Sequence, residues 1–176
     1  VINMALPKPR NIKVERYVGG LSQFRKIDNP IKLSANESAL GPSPRAIQAF
    51  EKDKDKIFKY PESDSNSLRE LISKKFNIDP KRIICGAGSD QIFDLTCQLF
   101  LQSGDEVIVT EFGFIMHRIY ASIHGAKVVL AKEENFKASV EEILKKVTDK
   151  TKIVFIANPN NPTGTYLSKN EMLNLR

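Results

Sequence analysis

The sequence predicts an α/β protein in which a mainly parallel sheet is covered by helices on both faces. Three observations support this fold class. From Lys81 onward, short apolar runs alternate with amphipathic stretches of helical period. Two of the apolar runs are followed at once by a turn rich in glycine or proline. The chain has 176 residues, of which 41% are hydrophobic, and this is enough to form one core.

The first part of the chain lacks this alternation. Residues 1–35 show no sustained period and contain three of the nine prolines, which predicts an extended arm. A helix is predicted to start at Ser43-Pro44, because serine caps helix starts and proline fits the first helical position. A second helix is predicted over 68–76, with Ser67 and Glu70 as a capping box.

The elements after residue 80 are predicted in the order β-α-β-α-β-α-β, followed by one more helix. The strands are predicted at 82–85, 106–109, 127–130 and 152–157. The helices are predicted to start at Ser89, near Phe114, at Ser139 with Glu142 in a capping box, and at Ser168 with Glu171 in another. Because the last helix stops within its first turns, we expect the chain to be the N-terminal portion of a longer protein.

The composition argues against nucleic-acid and membrane partners. The net charge is +6, but basic and acidic residues alternate, as in 51–56, which is typical of a solvated helix face. No apolar run approaches the roughly 20 residues of a membrane helix, and no secretory signal opens the chain. Cys85 and Cys97 have no metal-like spacing, so we expect reduced thiols in a cytoplasmic protein. The excess positive charge favours small anionic ligands.

A glycine-rich turn, Gly86-Ala87-Gly88-Ser89-Asp90, follows the first predicted strand and opens a helix. Unpaired amides and the helix dipole make such a start suitable for a phosphate, although an ordinary strand-to-helix turn has the same pattern. The turn is not a P-loop, because no Gly-Lys-Ser/Thr follows it. It is also a poor dinucleotide fingerprint, because Gln91 replaces the third small residue.

Phe114 follows the next strand, where its ring could lie on a planar ligand or simply pack in the core. His117 and His124 are the only histidines. Seven helical residues separate them by about 10 Å, which is too far for both to bind one ion. We therefore predict no metal site.

The segment NPNNPTG, from Asn158 to Gly164, directly follows the last apolar run. Each proline fixes its own φ and pushes the preceding residue toward extended backbone, so the segment should be a loop of nearly fixed shape. Such a loop is either a structural turn or a preformed ligand site.

A phosphate cradle, an aromatic ring and a rigid amide at three strand ends would together grip a planar phosphorylated cofactor. The chain resembles the pyridoxal-phosphate enzymes of the aspartate aminotransferase fold, fold type I, of which it would form an incomplete part. From about Tyr17 onward it is most similar to the histidinol-phosphate aminotransferases. The segments that carry this resemblance are 33–44, 60–72, 86–95 and 158–164.

The resemblance implies three parts of the chain. Residues 1–35 would form an N-terminal arm, and residues 36–80 a helical segment that contributes to a small domain and to dimer contacts. Residues 81–176 would form the first part of the large cofactor-binding domain.

The resemblance also implies pyridoxal 5'-phosphate as the cofactor and assigns residues to its phosphate and ring. The amides of Ser89 and Asp90, next to Gly88, would bind the phosphate. The hydroxyl of Tyr60 of the partner subunit in a homodimer would reach the same phosphate. Phe114 matches the stacking aromatic, which is usually tyrosine in this family.

Further roles follow from the same resemblance. Asn161 would donate its amide to the phenolic oxygen of the cofactor, while Asn158 serves the turn. Tyr17 and Asn36 would lie on the substrate side. The Schiff-base lysine and the substrate-selecting arginines are expected beyond Arg176, so no catalytic residue is predicted within the chain, which alone would be inactive.

The implied function is amino transfer between a phosphorylated amino alcohol, histidinol phosphate, or its keto form, and glutamate or 2-oxoglutarate in histidine biosynthesis. Two alternatives within the class are an aromatic or broad-specificity aminotransferase and a decarboxylase of phosphate-bearing substrates. An alternative outside the class is a nucleotide-binding or purely structural α/β module.

Overall fold

The computed structural model describes residues 12–21, 27–28 and 31–175. Their contacts divide them into two compact units, one of residues 12–17 with 86–175 and one within 18–85. Most of the predicted arm, including residues 1–11, lies outside the described residues, and its residues 12–21 form neither helix nor strand. No helix in the described part of the chain has the length and hydropathy needed to cross a membrane.

The unit within 18–85 contains helix α1, Pro44–Asp53. Its start is confirmed, because the Ser43 hydroxyl accepts a hydrogen bond from the amide of Ala46 at 3.2 Å. The helix continues into a 3₁₀ turn, Lys54–Lys56.

Helix α2, Asn66–Phe76, confirms the second predicted helix but not its predicted capping box. The amide and hydroxyl of Ser67 bond to the carboxylate of Glu62 at 3.0 and 2.8 Å, so Ser67 lies inside the first turn. The cap position belongs to Ser65, whose side chain makes no capping bond. The helix start therefore uses an upstream carboxylate, and Glu70 takes no part in a box.

The prediction of a strand at 82–85 is wrong. Pro80–Arg82 forms a 3₁₀ turn, and the next three residues continue as single chain outside any ladder. Ile84 is 65% exposed. An apolar run becomes a strand only where a neighbouring strand offers hydrogen-bond partners, and none does so here among the described residues.

The other unit contains a three-stranded parallel sheet, which confirms the predicted parallel arrangement. Strand β1, Glu106–Thr110, lies between β2, Lys127–Ala131, and β5, Thr151–Phe155. All five residues of β1 are buried. Strand β5 ends two residues earlier than predicted, because the chain leaves the ladder before the Asn-Pro loop.

A short antiparallel hairpin, which the sequence did not predict, follows β2. It pairs β3, Glu133–Glu134, with β4, Lys137–Ala138. Asn135 and Phe136 occupy its turn with φ of 51° and 61°. Asparagine tolerates this left-handed region, which makes it a usual residue in tight hairpins.

Four helices belong to this unit: α3, Gly88–Phe100; α4, Ile115–Ile123; α5, Val140–Leu144; and α6, Lys169–Asn174. They cover both faces of the sheet, as predicted. Val107 and Val109 pack with Ala121 of α4 on one face, while Ile108 packs with Ile143 of α5 on the other.

The two capping boxes predicted in this unit differ in outcome. The box of Ser168 and Glu171 at α6 is present. At α5 the Ser139 hydroxyl accepts the amide of Glu142 at 3.4 Å, but the Glu142 carboxylate bonds Lys145 at 2.9 Å, so only half of that box forms.

Candidate functional site

Three segments meet at the carboxyl ends of the parallel strands: the start of α3, the loop after β1 and the loop after β5. The ring centroid of Phe93 in α3 lies 6.3 Å from that of Phe114 and 5.6 Å from that of Phe155. The side-chain amide of Asn160 donates to the carbonyl of Phe112 at 3.3 Å. The edge where ligands of parallel sheets bind therefore brings together the turn of Ser89, the ring of Phe114 and the loop of Asn161.

The start of α3 leaves backbone donors free. Helix α3 begins at Gly88, one residue before the predicted start, and no side chain caps it. The amide of Ala87 donates to Oε1 of Gln91 at 2.6 Å, and that of Gly88 donates to the carbonyl of Gly86 at 2.9 Å. The amides of Ser89 and Asp90 have no acceptor among the described residues. With the helix dipole behind them, these two unpaired amides have the arrangement that anion sites at helix starts use.

Gly88 has a conformational reason to be glycine. Its φ is +77°, in the left-handed region, and a Cβ at this position would meet no atom within 4 Å. The constraint is therefore backbone strain and not a lack of space.

The Asn-Pro loop is shaped by two of its three asparagines. Asn158 binds Leu167 twice, accepting from its amide at 2.9 Å and donating to its carbonyl at 3.1 Å. The backbone of Asn160 closes the loop, with its amide donating to the carbonyl of Thr165 at 2.7 Å and its carbonyl accepting from Gly164 at 2.9 Å. Both Asn-Pro peptide bonds are cis.

Asn161 is the third asparagine of the loop, and its side chain takes no part in this hydrogen-bond network. Its side chain is half-buried and makes no hydrogen bond within residues 12–21, 27–28 and 31–175. Its amide is thus held on a rigid loop without an internal partner, which is the arrangement expected of a ligand-binding group.

Phe114 occupies the N-cap position of α4, without a side-chain capping bond, and belongs to an aromatic cluster that the sequence did not predict. His117, 5% exposed, stacks on Phe155 at 4.9 Å and meets the rings of Phe93 and Phe114 edge-on at 4.7 and 5.7 Å. Burial lowers the pKa of His117 to about 4, so the imidazole is neutral at physiological pH. The spacing of three residues between Phe114 and His117 was the available signal, since such residues share a helix face.

A hydrogen-bonded pair joins α3 to the residue that follows α4. Nε2 of His124 lies 2.7 Å from Oδ1 of Asp94. The pKa of Tyr120 is raised, first by burial and then by the nearby charges of Asp90 and Asp94. The two histidines thus have separate surroundings, and the described residues contain no group of three or more potential metal ligands.

The remaining predicted residues are exposed. Tyr17, which belongs to the sheet-containing unit, is 54% exposed, and Tyr60, in the other unit, is 94% exposed. Asn36, also in the other unit, adopts φ 56° next to Ala35, whose amide donates to the carboxylate of Glu37 at 3.0 Å. Their proposed contacts to cofactor or substrate stay predictions.

Comparison with known proteins places the chain in a family. The profile of "Aminotransferase class I and II" matches residues 28–176. The chain is 58% identical over 173 residues to the histidinol-phosphate aminotransferase of Pelagibacter ubique (strain HTCC1062), covering 98% of this chain and 48% of that protein. The chain thus spans about half the length of the curated relatives it matches.

Two solved structures show the same fold. The histidinol-phosphate aminotransferase from Sinorhizobium meliloti, in complex with pyridoxal-5'-phosphate, matches with a TM-score of 0.76 and 23% identity over 80% of this chain and 39% of that chain. The aspartate aminotransferase from Rhizobium meliloti matches with a TM-score of 0.73 and 24% identity over 81% of this chain and 38% of that chain. The predicted fold class is confirmed, and the chain belongs to the class I and II aminotransferase family.

Proposed function

We propose that this chain forms part of a pyridoxal 5'-phosphate-dependent aminotransferase that exchanges an amino group between histidinol phosphate and 2-oxoglutarate in histidine biosynthesis. The proposal rests on hydrogen-bond donors that lie, without a partner in the described part of the chain, at the carboxyl-terminal edge of the parallel sheet. The amides of Ser89 and Asp90 and the side chain of Asn161 have no partner among the described residues, whereas the side-chain nitrogens of Asn158 and Asn160 both donate within the same region.

The donor set fits the cofactor. A phosphate monoester needs backbone amides at a helix start, and α3 supplies those of Ser89 and Asp90. A phenolic oxygen on a planar ring needs one fixed donor, which Asn161 supplies. Phe114, whose ring packs against Phe93 of α3, provides an apolar ring that would cover the cofactor face and exclude water.

When bound, pyridoxal phosphate withdraws electrons from the amine-bearing carbon, so that the proton on that carbon becomes acidic. The residues of this chain bind and orient. The start of α3 fixes the phosphate, and Asn161 holds the ring oxygen in one orientation. His117, which is neutral, keeps Phe114 packed without placing a positive charge next to it. Tyr60 of the partner subunit would donate its hydroxyl to the phosphate.

The homodimer, the cytoplasmic location and the substrate class belong to the same proposal. The exposure of Tyr60, at 94%, is compatible with a role in the site of another subunit. The choice of histidinol phosphate rests on similarity to relatives of that name, among them the Pelagibacter ubique protein at 58% identity.

The test uses the full-length protein and its affinity for pyridoxal phosphate, measured by absorbance. Asn161→Ala removes a hydrogen bond to a charged oxygen and should weaken binding by about 10-fold or more. Tyr60→Phe should weaken binding by about 2- to 13-fold if the lost bond is an ordinary hydrogen bond, and by more if the bond to the phosphate is charge-assisted. Asn170→Ala, in the exposed first turn of α6, is the matched control and should leave the affinity unchanged. Equal affinities for the Asn161 and Asn170 variants would refute the site.

Substrate assays separate the alternatives. Amino transfer from histidinol phosphate that exceeds transfer from aromatic amino acids supports the proposal, while the reverse order supports an aromatic or broad-specificity enzyme. Release of carbon dioxide from a phosphorylated amino acid would indicate a decarboxylase. Nucleotide affinity without any binding of pyridoxal phosphate would indicate the module outside the class.

We also expect the lysine that binds the cofactor covalently to lie outside residues 1–176. After Gly164 the chain has one lysine, Lys169, which is exposed in the first turn of α6. Borohydride reduction of the full-length protein with its cofactor, followed by peptide mapping, should label a lysine outside residues 1–176. Stoichiometric labelling of one lysine within these residues, in an active preparation, would contradict it.

A further inference from the structure

We propose that Asn160 is a positioning residue that locks the loop carrying Asn161 to the loop carrying Phe114, an inference that rests on the proposed function. Asn160 is 7% exposed. Its Nδ2 donates to the carbonyl of Phe112 at 3.3 Å and to Oγ1 of Thr163 at 2.9 Å. Sequence reasoning did not single it out, because its partner is 48 residues away along the chain.

The bond to Phe112 joins the loop whose Asn161 would bind the phenolic oxygen of the cofactor to the loop whose Phe114 would cover its ring. Phe112 lies two residues before Phe114, and Asn160 directly precedes Asn161. Among the hydrogen bonds of residues 12–21, 27–28 and 31–175, it is the one that connects these loops directly. The other side-chain bonds of the Asn-Pro loop lead elsewhere: Asn158 binds Leu167, and Thr165 binds the carbonyl of Phe136 at 2.7 Å.

The site requires a donor from residue 160 and not merely a side chain of the right size. The carbonyl of Phe112 can only accept, so it fixes which end of the Asn160 amide faces it. Both amide hydrogens are then used, while Oδ1 is buried without a partner among the described residues. An aspartate of the same shape would set an acceptor against the Phe112 carbonyl, and the two loops would separate.

This geometry predicts a pattern that a purely structural role would not produce. Both Asn158 and Asn160 make two side-chain hydrogen bonds that hold the same loop. Loss of Asn158 should free the chain near Leu167, whereas loss of the Asn160 donor should free the chain near Phe112. Only the second change would alter the position of Phe114 relative to Asn161.

The experiment compares Asn160→Asp, Asn160→His and Asn158→Ala in the full-length protein. The cofactor-free readout is hydrogen exchange in the peptide that contains Phe112 and Gly113, whose amides bond Glu133 Oε1 at 3.1 Å and the Thr110 carbonyl at 3.2 Å. Asn160→Asp should speed exchange there. Asn158→Ala should instead speed exchange at Leu167, whose amide it releases.

The second readout is binding of pyridoxal phosphate and the circular dichroism of the bound cofactor. Asn160→Asp should weaken binding by about 10-fold and reduce the dichroic band. Asn160→His should recover only part of both, since its Nδ1–H can donate to the Phe112 carbonyl but leaves the second bond, to Oγ1 of Thr163, unmade. Asn158→Ala should lower the melting temperature and weaken binding by clearly less than Asn160→Asp does.

The outcomes are separable. Unchanged exchange at Phe112 in Asn160→Asp overturns the inference, whether or not the cofactor binds. Equal losses of affinity in the Asn160→Asp and Asn158→Ala proteins overturn it as well, since both would then act through general stability. A wild-type protein that binds no pyridoxal phosphate overturns the proposed function, while faster exchange at Phe112 in Asn160→Asp would still support the link between the loops.

Discussion

Replacing His117 with phenylalanine should make the protein less sensitive to acid. In the folded state burial lowers the pKa of His117 from 6.5 to about 4, and its ring neighbours Phe93, Phe114 and Phe155 offer no charge to offset this. The unfolded chain, with an ordinary pKa, binds the proton first. The stability contributed by the neutral imidazole is therefore full above pH 6.5 and is lost progressively as the pH falls to about 4.

The size of the effect follows from the shift. Each unit of pKa difference corresponds to about 1.4 kcal/mol, so the shift to about 4 sets an upper limit of about 3 kcal/mol on the free energy of unfolding lost between pH 7 and pH 4. His117→Phe keeps an aromatic ring against Phe155 and removes this loss. Other acid-sensitive groups are common to both proteins, so the difference between them isolates the imidazole.

The assay is urea unfolding of both proteins between pH 4 and pH 7, followed by circular dichroism. Wild-type stability relative to His117→Phe should fall as the pH decreases. An NMR titration gives the pKa directly, and the variant assigns the resonance of His117. A constant difference in stability across this range, or a titration of His117 near pH 6.5, would refute the reasoning.

Three further predictions concern the sheet, α6 and the start of α3. Ile108→Ala empties a fully buried position of β1 and should cost about 2–5 kcal/mol of unfolding free energy in urea titrations, so a loss below about 1 kcal/mol would contradict the packing. The Lys137 ammonium, at 2.6 Å, and the Ser168 amide lower the pKa of Glu171 to about 2, so its contribution to α6 is present above pH 4.5 and disappears as the pH falls toward 2. Glu171→Ala, which removes the side-chain acceptor of the capping box, should speed hydrogen exchange in α6 at pH 7, and unchanged exchange would refute the capping role. Gly88→Ala, at φ +77°, should cost about 1–2 kcal/mol of backbone strain and weaken cofactor binding. Gly104→Ala, at φ +95° before β1, is the control and should carry similar strain with unchanged cofactor affinity. Equal cofactor affinities of the two variants would argue against the anion site.

Local patterns predicted the elements whose cause is local. The amphipathic period of α4 and the box of Ser168 with Glu171 are properties of neighbouring residues, and the structure confirms both. The apolar run of β1 was read correctly because the two strands that pair with it were recognisable as well. The same reasoning failed at 82–85, where the apolar run has no ladder partner among the described residues.

The missed features depend on contacts between distant segments. Ser67 bonds Glu62 and not a residue of its own first turn, so the pattern of Ser67 and Glu70 predicted the wrong box. In the candidate site, the roles of His117 and Asn160 arise from contacts with other strand ends. Residue spacing identified the loops of the site. It could not show which asparagines of the Asn-Pro loop form hydrogen bonds within the protein and which one is left without a partner in the described part of the chain.

The central place of β1 has a consequence for synthesis on the ribosome. Strand β2 can pair with β1 soon after it emerges, but β5 starts at Thr151, about 40 residues after β1 ends at Thr110. At about 5–20 residues per second, the second edge of β1 stays without its native partner for about 2–8 s in each nascent chain. An apolar strand whose edge has unpaired backbone N–H and C=O groups can pair with strands of other chains.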